Sequence, residues 1–207
     1  MYEWINLTIL IFSMLIFSIL YAFSVMPAIR GEKKGKEIWI ECRNLRIAGS
    51  IFEGITLITM ILWIWFPIEN LDWKIFSKWW IGIVVSMLIF IPGGIIVLKG
   101  VLDAGKETLT PSKDTEMYGG IYRYIRHPQT TGEMPMFPAF GLVVNSWFMV
   151  LIMTVFIIIY VPTIQYFEEK DLVKRFGDSY IEYQKTTGAF LPKWKIIKTS
   201  FKRKKRK

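Results

Sequence analysis

The chain has one cysteine, Cys42, and one histidine, His127, among its 207 residues. One cysteine excludes an intramolecular disulfide and a cysteine metal cluster, so a buried or idle thiol is the simplest reading. One histidine excludes the His-rich kind of zinc site. There are no alternating apolar and polar runs of the sort a membrane β-barrel needs, and no internal repeat. The strand, Gly-rich turn and helix of a soluble dinucleotide-type fold are also missing.

Apolar residues are abundant: 53% of the chain is hydrophobic and 16% aromatic, with a mean hydropathy of +0.36. A soluble domain of this length is more polar. A bilayer core about 30 Å thick takes about 20 apolar residues per helical span. Such stretches lie at residues 4–25, 47–66, 79–98, 129–144 and 147–167. Asn145 and Ser146, a polar pair without charge, predict a tight hairpin between the last two. The first stretch reads as a span rather than a cleaved signal, because no Lys or Arg precedes it and it is long for a signal core. The expected fold is an all-α integral membrane protein with about five transmembrane helices in a single domain. Three N-terminal spans (1–98) precede a cofactor-binding loop, hairpin and C-terminal segment (99–195) and a basic tail (196–207).

Lys and Arg concentrate on the cytoplasmic side of membrane proteins. Residues 28–46 carry six, residues 99–128 carry five, and residues 170–207 carry thirteen, leaving Lys74 and Lys78 of the 26 for the opposite side. Five spans with the N-terminus outside and the C-terminus cytoplasmic put all three rich segments inside, and an error of one span spoils the sorting. The location expected is the cytoplasmic or inner membrane. The net charge of +9 then concerns the membrane surface and is no evidence for nucleic acid. The basic run 202–207 suits either anionic lipid or a solvated tail.

Prolines mark helix distortions. Pro92 precedes Gly93 and Gly94 in the third stretch, Pro135 and Pro138 lie in the fourth, and Pro162 lies in the fifth. Four prolines in three consecutive stretches predict a shaped cavity there. The polar candidates lie nearby. Residues 119–128 contain Gly119, Gly120, Tyr122, Tyr124, Arg126, His127 and Pro128, with Gly132 and Glu133 following. Glycines permit close backbone approach, and Arg126 suits a carboxylate or phosphate. By spacing alone, an interfacial anchor of Tyr and Arg fits equally well. Glu168 and Glu169 are adjacent carboxylates that favour a cationic neighbour, supplied by a ligand or by Lys170 and Arg175. Leu172, Val173, Phe176, Tyr180 and Tyr183 recur at helical spacing and predict an amphipathic C-terminal helix, with Gly177 as a turn. Glu53 and Glu133 are acids within apolar stretches, where a partner inside the bundle is expected.

Two ordered motifs now stand out. Gly120, Tyr122, Arg123, Arg126, His127, Pro128 and Gly132 form the first; Glu168, Glu169, Leu172, Phe176, Gly177, Tyr180, Tyr183 and a late Pro192 form the second. Together they resemble the membrane methyltransferase family of isoprenylcysteine carboxyl methyltransferase and the phospholipid N-methyltransferases. Gly105 and Pro111 fit a looser upstream pattern, so the resemblance covers residues 105–192. It implies S-adenosylmethionine as methyl donor, bound between the last two spans and the C-terminal segment. It also implies that Tyr122, His127, Pro128, Gln129, Thr130 and Glu168 line the cofactor pocket, with backbone contacts from the loop around Glu116 and Met117. A carboxylate such as Glu168 suits the donor's sulfonium and ammonium, and Arg126 or backbone amides suit its carboxylate. Two positions depart from the pattern. Thr130 stands where relatives often carry Tyr. Ile164, one turn before Glu168, replaces the Arg that holds the acceptor carboxylate in the isoprenylcysteine enzyme. An acceptor carboxylate is costly to desolvate without a cation, which argues against prenylcysteine unless Arg175, Arg123 or another cation substitutes.

The expected reaction is in-line methyl displacement onto a lipophilic or membrane-associated acceptor, a membrane lipid or a small molecule. Arg126 and Glu133 are the candidate catalytic residues. An amine acceptor needs a base, for which Glu133 and Glu53 are the available acids, whereas a carboxylate or thiolate needs none. The rival enzyme is a membrane reductase of the sterol-reductase type, which resembles the same half and uses NADPH. Such enzymes tend to carry Arg-Asp at the Glu168-Glu169 position, and an acidic pair holds a 2′-phosphate poorly. A small transporter or scaffold is the non-enzymatic rival, but a transporter's inverted repeat is missing.

Overall fold

A computed structural model describes residues 1–111 and 119–193. Among the described residues the fold is helical, without strands. Four helices are long and apolar enough to cross a membrane: α1 (Tyr2–Ser24), α3 (Ile38–Leu62), α4 (Trp79–Ala104, whose apolar run extends to Thr108) and α7 (Trp147–Phe176). Four shorter helices complete the fold: α2 (Pro27–Lys34), α5 (Pro128–Glu133), α6 (Met136–Val143) and α8 (Asp178–Thr186). The stretch expected as a continuous fourth span is delivered as α5 and α6 in tandem, with Pro135 between them. Residues 128–144 would rise only about 26 Å as one helix. They nevertheless lead from the end that holds His127 to the end where Asn145 bonds the backbone of Ile75 and Phe76. The hairpin turn expected at Asn145-Ser146 is present: Asn145 adopts φ 55, and the Ser146 hydroxyl caps α7.

The outward faces of the long helices are apolar. Phe12, Leu88, Ile91 and Ile158 are all at least 60% exposed, as a lipid-facing surface requires. Inside, small and polar residues join the helices, the usual way membrane helices meet where lipid removes any hydrophobic drive between them. α1 and α3 pair antiparallel through Asn6 Nδ2 to the Thr59 carbonyl (3.0 Å) and Ser13 to Thr56 (2.9 Å). α4 buries Gly82, Ser86, Gly93 and Gly100 along one face, and Ser86 Oγ donates to the Ala139 carbonyl of α6 (2.9 Å). A Cβ on Gly93 would lie 2.6 Å from the Gly132 carbonyl oxygen, and one on Gly132 would lie 2.4 Å from that of Gly93. Glycine at both positions is what lets α4 and α5 touch backbone to backbone. Pro92 and Pro162 face outward and interrupt neither α4 nor α7.

At ~1.5 Å per residue, the 30 residues of α7 span about 45 Å, half as long again as a bilayer core. Its last turns therefore extend beyond the core and carry Glu168 to Arg175 to the end of the bundle that gathers Arg30, Arg46 and Arg126. Gly177, at φ 60, stops α7, and α8 follows as the expected C-terminal helix. The basic run 202–207 lies outside the described residues. Cys42 is buried in α3, as expected of an idle thiol.

Candidate functional site

Gly120 starts the site. It adopts φ 57, and a Cβ there would lie 2.1 Å from an Asp103 carboxylate oxygen. That carboxylate instead accepts from the Ile121 amide (2.6 Å), pinning the 120–123 turn to the end of α4. The turn aims Tyr122 inward. Its hydroxyl donates to the Gly100 carbonyl (3.3 Å) and accepts from Gln129 Nε2 (3.2 Å). Burial first, then the nearby Glu168 charge, raises the Tyr122 pKa despite the Gln129 bond, so the phenol stays neutral.

The next residues are clasped by the C-terminal segment. The Arg126 amide donates to the Gly188 carbonyl (2.9 Å) and the His127 amide to that of Ala189 (3.0 Å). The Phe190 ring lies 5.8 Å from the His127 ring. Glu169 is the hub. One of its oxygens accepts from Arg126 Nε (2.9 Å) and Nη2 (2.7 Å), from His127 Nε2 (2.9 Å) and from Gln165 (3.3 Å). The other accepts from Gln184 of α8 (2.8 Å). Arg126 Nη1 also donates to the Gln184 and Thr187 carbonyls. His127 therefore sits between two carboxylates, with Nδ1 3.1 Å from Glu168 and Nε2 2.9 Å from Glu169. A neutral imidazole can donate through only one nitrogen. Burial alone would lower its pKa, but the Glu168 charge and the hydrogen bonds to both carboxylates outweigh burial and hold it at about 9. The ring is an imidazolium at neutral pH.

The adjacent acids thus divide their work. Glu169 is consumed by protein cations, whereas the Glu168 side chain stays 36% exposed. Two adjoining chambers lie beside Glu168. The outer one encloses about 100 Å³ and opens at the basic end; Tyr122, His127, Pro128, Gln129, Thr130 and Glu168 all line it. The inner one encloses about 190 Å³ between Phe17, Val97, Tyr160, Ile164 and Phe190, with the carboxylates of Glu53 and Glu133 in its wall. Tyr21, Arg46, His127, Gln129, Thr130, Glu133 and Glu168 line both.

All the expected pocket residues among those described come together here. Glu116 and Met117 lie outside the described residues. Arg126 borders the outer chamber, with its guanidinium committed to Glu169 and two carbonyls. Glu133 borders both chambers. Ile164 is buried in the inner wall. Of the substitutes considered for the missing arginine, Arg175 is paired with Glu107 (2.7 Å). Sequence reasoning missed the separate fates of Glu168 and Glu169, the clasp by residues 188–190, and Arg46. The clasp carries no side-chain signature beyond Gly188. Arg46 is one of two arginines near the start of α3, and nothing in the sequence distinguishes it.

The family model for phospholipid methyltransferase matches residues 81–179, the stretch that builds both chambers apart from α1, α3 and the C-terminal clasp. The methanethiol S-methyltransferase of Pseudomonas deceptionensis is 27% identical over 190 residues, covering 82% of this chain and 69% of that protein. A methanethiol S-methyltransferase from another Pseudomonas strain is 25% identical, with 83% and 70% covered. Methanethiol S-methyltransferase 1 of Bradyrhizobium diazoefficiens is 22% identical, with 82% and 63% covered. No solved structure matches the chain. The reductase and transporter readings find no support among these relatives. The chain is a membrane methyltransferase, and over residues 81–179 it is similar to the phospholipid methyltransferases.

Proposed function

We propose that the protein transfers a methyl group from S-adenosylmethionine to a small lipophilic thiol that reaches the inner chamber from the membrane. The observation that carries this reading is the inner chamber itself: about 190 Å³, walled by Phe17, Val97, Tyr160, Ile164 and Phe190. That space suits a small molecule and provides no cation at Ile164 for an acceptor carboxylate. The names of the similar proteins favour a thiol over a lipid amine.

The residues present fit the donor. Glu168, open to both chambers, offers a carboxylate to a sulfonium or ammonium, and Tyr122 offers an aromatic face. His127, Pro128, Gln129 and Thr130 form the wall between them, and Glu116 and Met117 are proposed to add backbone contacts. When bound, S-adenosylmethionine supplies a methyl group on a positively charged sulfur, open to in-line displacement. The chain's own part is to hold the reactants in line and exclude water.

A thiol crosses the membrane as the neutral form, so its proton must leave before sulfur attacks. Glu133 is the proposed acceptor of that proton. It faces the inner chamber, and among the described residues it makes no hydrogen bond or ion pair. Glu53 shares the same wall. Arg126 acts one layer back, holding Glu169 and hence His127 in place. The proposed orientation is N-terminus outside and C-terminus cytoplasmic, which places the donor mouth where the basic segments gather. The proposed basic tail on anionic lipid follows from the same sidedness.

The test is purified protein with labelled S-adenosylmethionine and a panel of small thiols, prenylated thiols and lipid amines. Methylation of small thiols is expected. Label found only in lipid amines would overturn the acceptor, and no donor binding at all would overturn the whole reading.

A further inference from the structure

Arg46 lies on α3, outside the region that matches the family model. Its side chain reaches across to the end of the 105–108 turn, where Nη1 donates to the carbonyls of Glu107 (3.0 Å) and Thr108 (2.8 Å). Nη2 lies 3.5 Å from the Ser24 carbonyl. Its Nε is buried and has no hydrogen-bond partner. Every partner it has among the described residues is a backbone carbonyl. Three other guanidiniums at this end behave differently. Arg126 is paired with Glu169, Arg175 with Glu107 and Arg30 with Glu41. No carboxylate lies within ion-pair distance of Arg46 among the described residues, yet Arg46 lines both chambers.

A half-buried guanidinium that hydrogen-bonds only carbonyls, with the Glu168 charge near but not paired to it, is poised for an anion. Glu168 is the complementary case, a carboxylate that pairs with His127 (3.1 Å) and still faces both chambers. One open cation and one open anion on a shared wall match a zwitterion whose ammonium and carboxylate sit on the same carbon. The donor proposed above ends in that group.

We infer that Arg46 binds the carboxylate of the methyl donor, so that α3 adds a cation to a site otherwise built by the family region. This rests on the donor being S-adenosylmethionine. It moves the carboxylate contact from Arg126, which Glu169 occupies, to a residue of the N-terminal half.

Calorimetry on the full-length protein in detergent tests this, using S-adenosylmethionine and its decarboxylated analogue against wild type, Arg46→Gln and Arg46→Lys. Wild type should bind the intact donor roughly 30-fold or more tightly than the analogue, the low end of the effect of removing one partner of a buried charge pair. Arg46→Gln should lose most of that preference while binding the analogue as wild type does. Arg46→Lys, a point charge without the planar fork, should keep part of it and serves if Arg46→Gln does not fold. Equal weakening of both ligands by the variants would make Arg46 a structural strut and overturn the inference. So would equal binding of both ligands by wild type. If wild type binds neither ligand, the donor reading itself falls, and the inference falls with it.

Discussion

Removing the charge of His127 should make the protein less stable at neutral pH but not at high pH. The imidazole is raised from an ordinary 6.5 to about 9 by Glu168 and Glu169. A shift of that size corresponds to about 3 kcal/mol at ~1.4 kcal/mol per unit. The folded pKa lies above the unfolded one, so the stabilisation is fully present below about pH 6.5 and fades as pH rises, gone once it passes about 9. Across that window wild type should lose up to about 1.4 kcal/mol per pH unit at the steepest, relative to a His127→Gln variant in which no proton is exchanged. His127 is the sole histidine, so one imidazole resonance in a protein carrying a histidine-free tag reports the titration directly. Thermal or denaturant unfolding in detergent from pH 6 to 10 gives the energetic counterpart. A resonance that titrates at or below 6.5, or parallel stability profiles for wild type and variant, would refute the two-carboxylate clamp.

Further outcomes follow from the same geometry. Glu168→Gln should weaken donor binding at least tenfold by calorimetry while the His127 amide still bonds the 188–190 clasp, because Glu169 continues to hold Arg126. Glu169→Ala should act on stability instead, costing about 3 kcal/mol or more by stranding the buried Arg126 guanidinium; an unchanged melting temperature would contradict the hub. Glu133→Gln should lower kcat for a thiol by about 100-fold or more with little change in donor affinity, and unchanged kcat would remove Glu133 as the base. Gly93→Ala should lower the melting temperature, since its Cβ would lie 2.6 Å from a backbone oxygen across the α4–α5 contact, and a wild-type melting temperature would show that the contact can yield.

The membrane fold was legible because hydropathy and charge act over whole segments. The gathering of Arg30, Arg46, Arg126 and Arg175 at one end of the bundle follows from that sorting. The motif residues Tyr122, His127 and Glu168 were legible one by one, yet their division of labour was not. Glu168 and Glu169 are neighbours in sequence and chemically identical. Only their directions on the last turns of α7 send one to Arg126 and leave the other open. The fourth stretch was read as one span distorted at Pro135 and Pro138, because hydropathy does not register where a helix breaks. Pro135 breaks it, and Gly132 brings it onto α4. Arg46 was hidden for a different reason: what sets it apart is that no carboxylate is ion-paired with it among the described residues, and no local pattern encodes that.

The clasp between residues 126–127 and 188–189 sets an order on biogenesis. When the ribosome has released the last turn of α7, every long apolar helix can already be in the membrane. The strip that locks Arg126 and His127 in place is still to be made. A nascent chain is thus committed to the bilayer before the proposed donor site is closed. A product stopped after α8 would be expected to insert, persist and stay inactive.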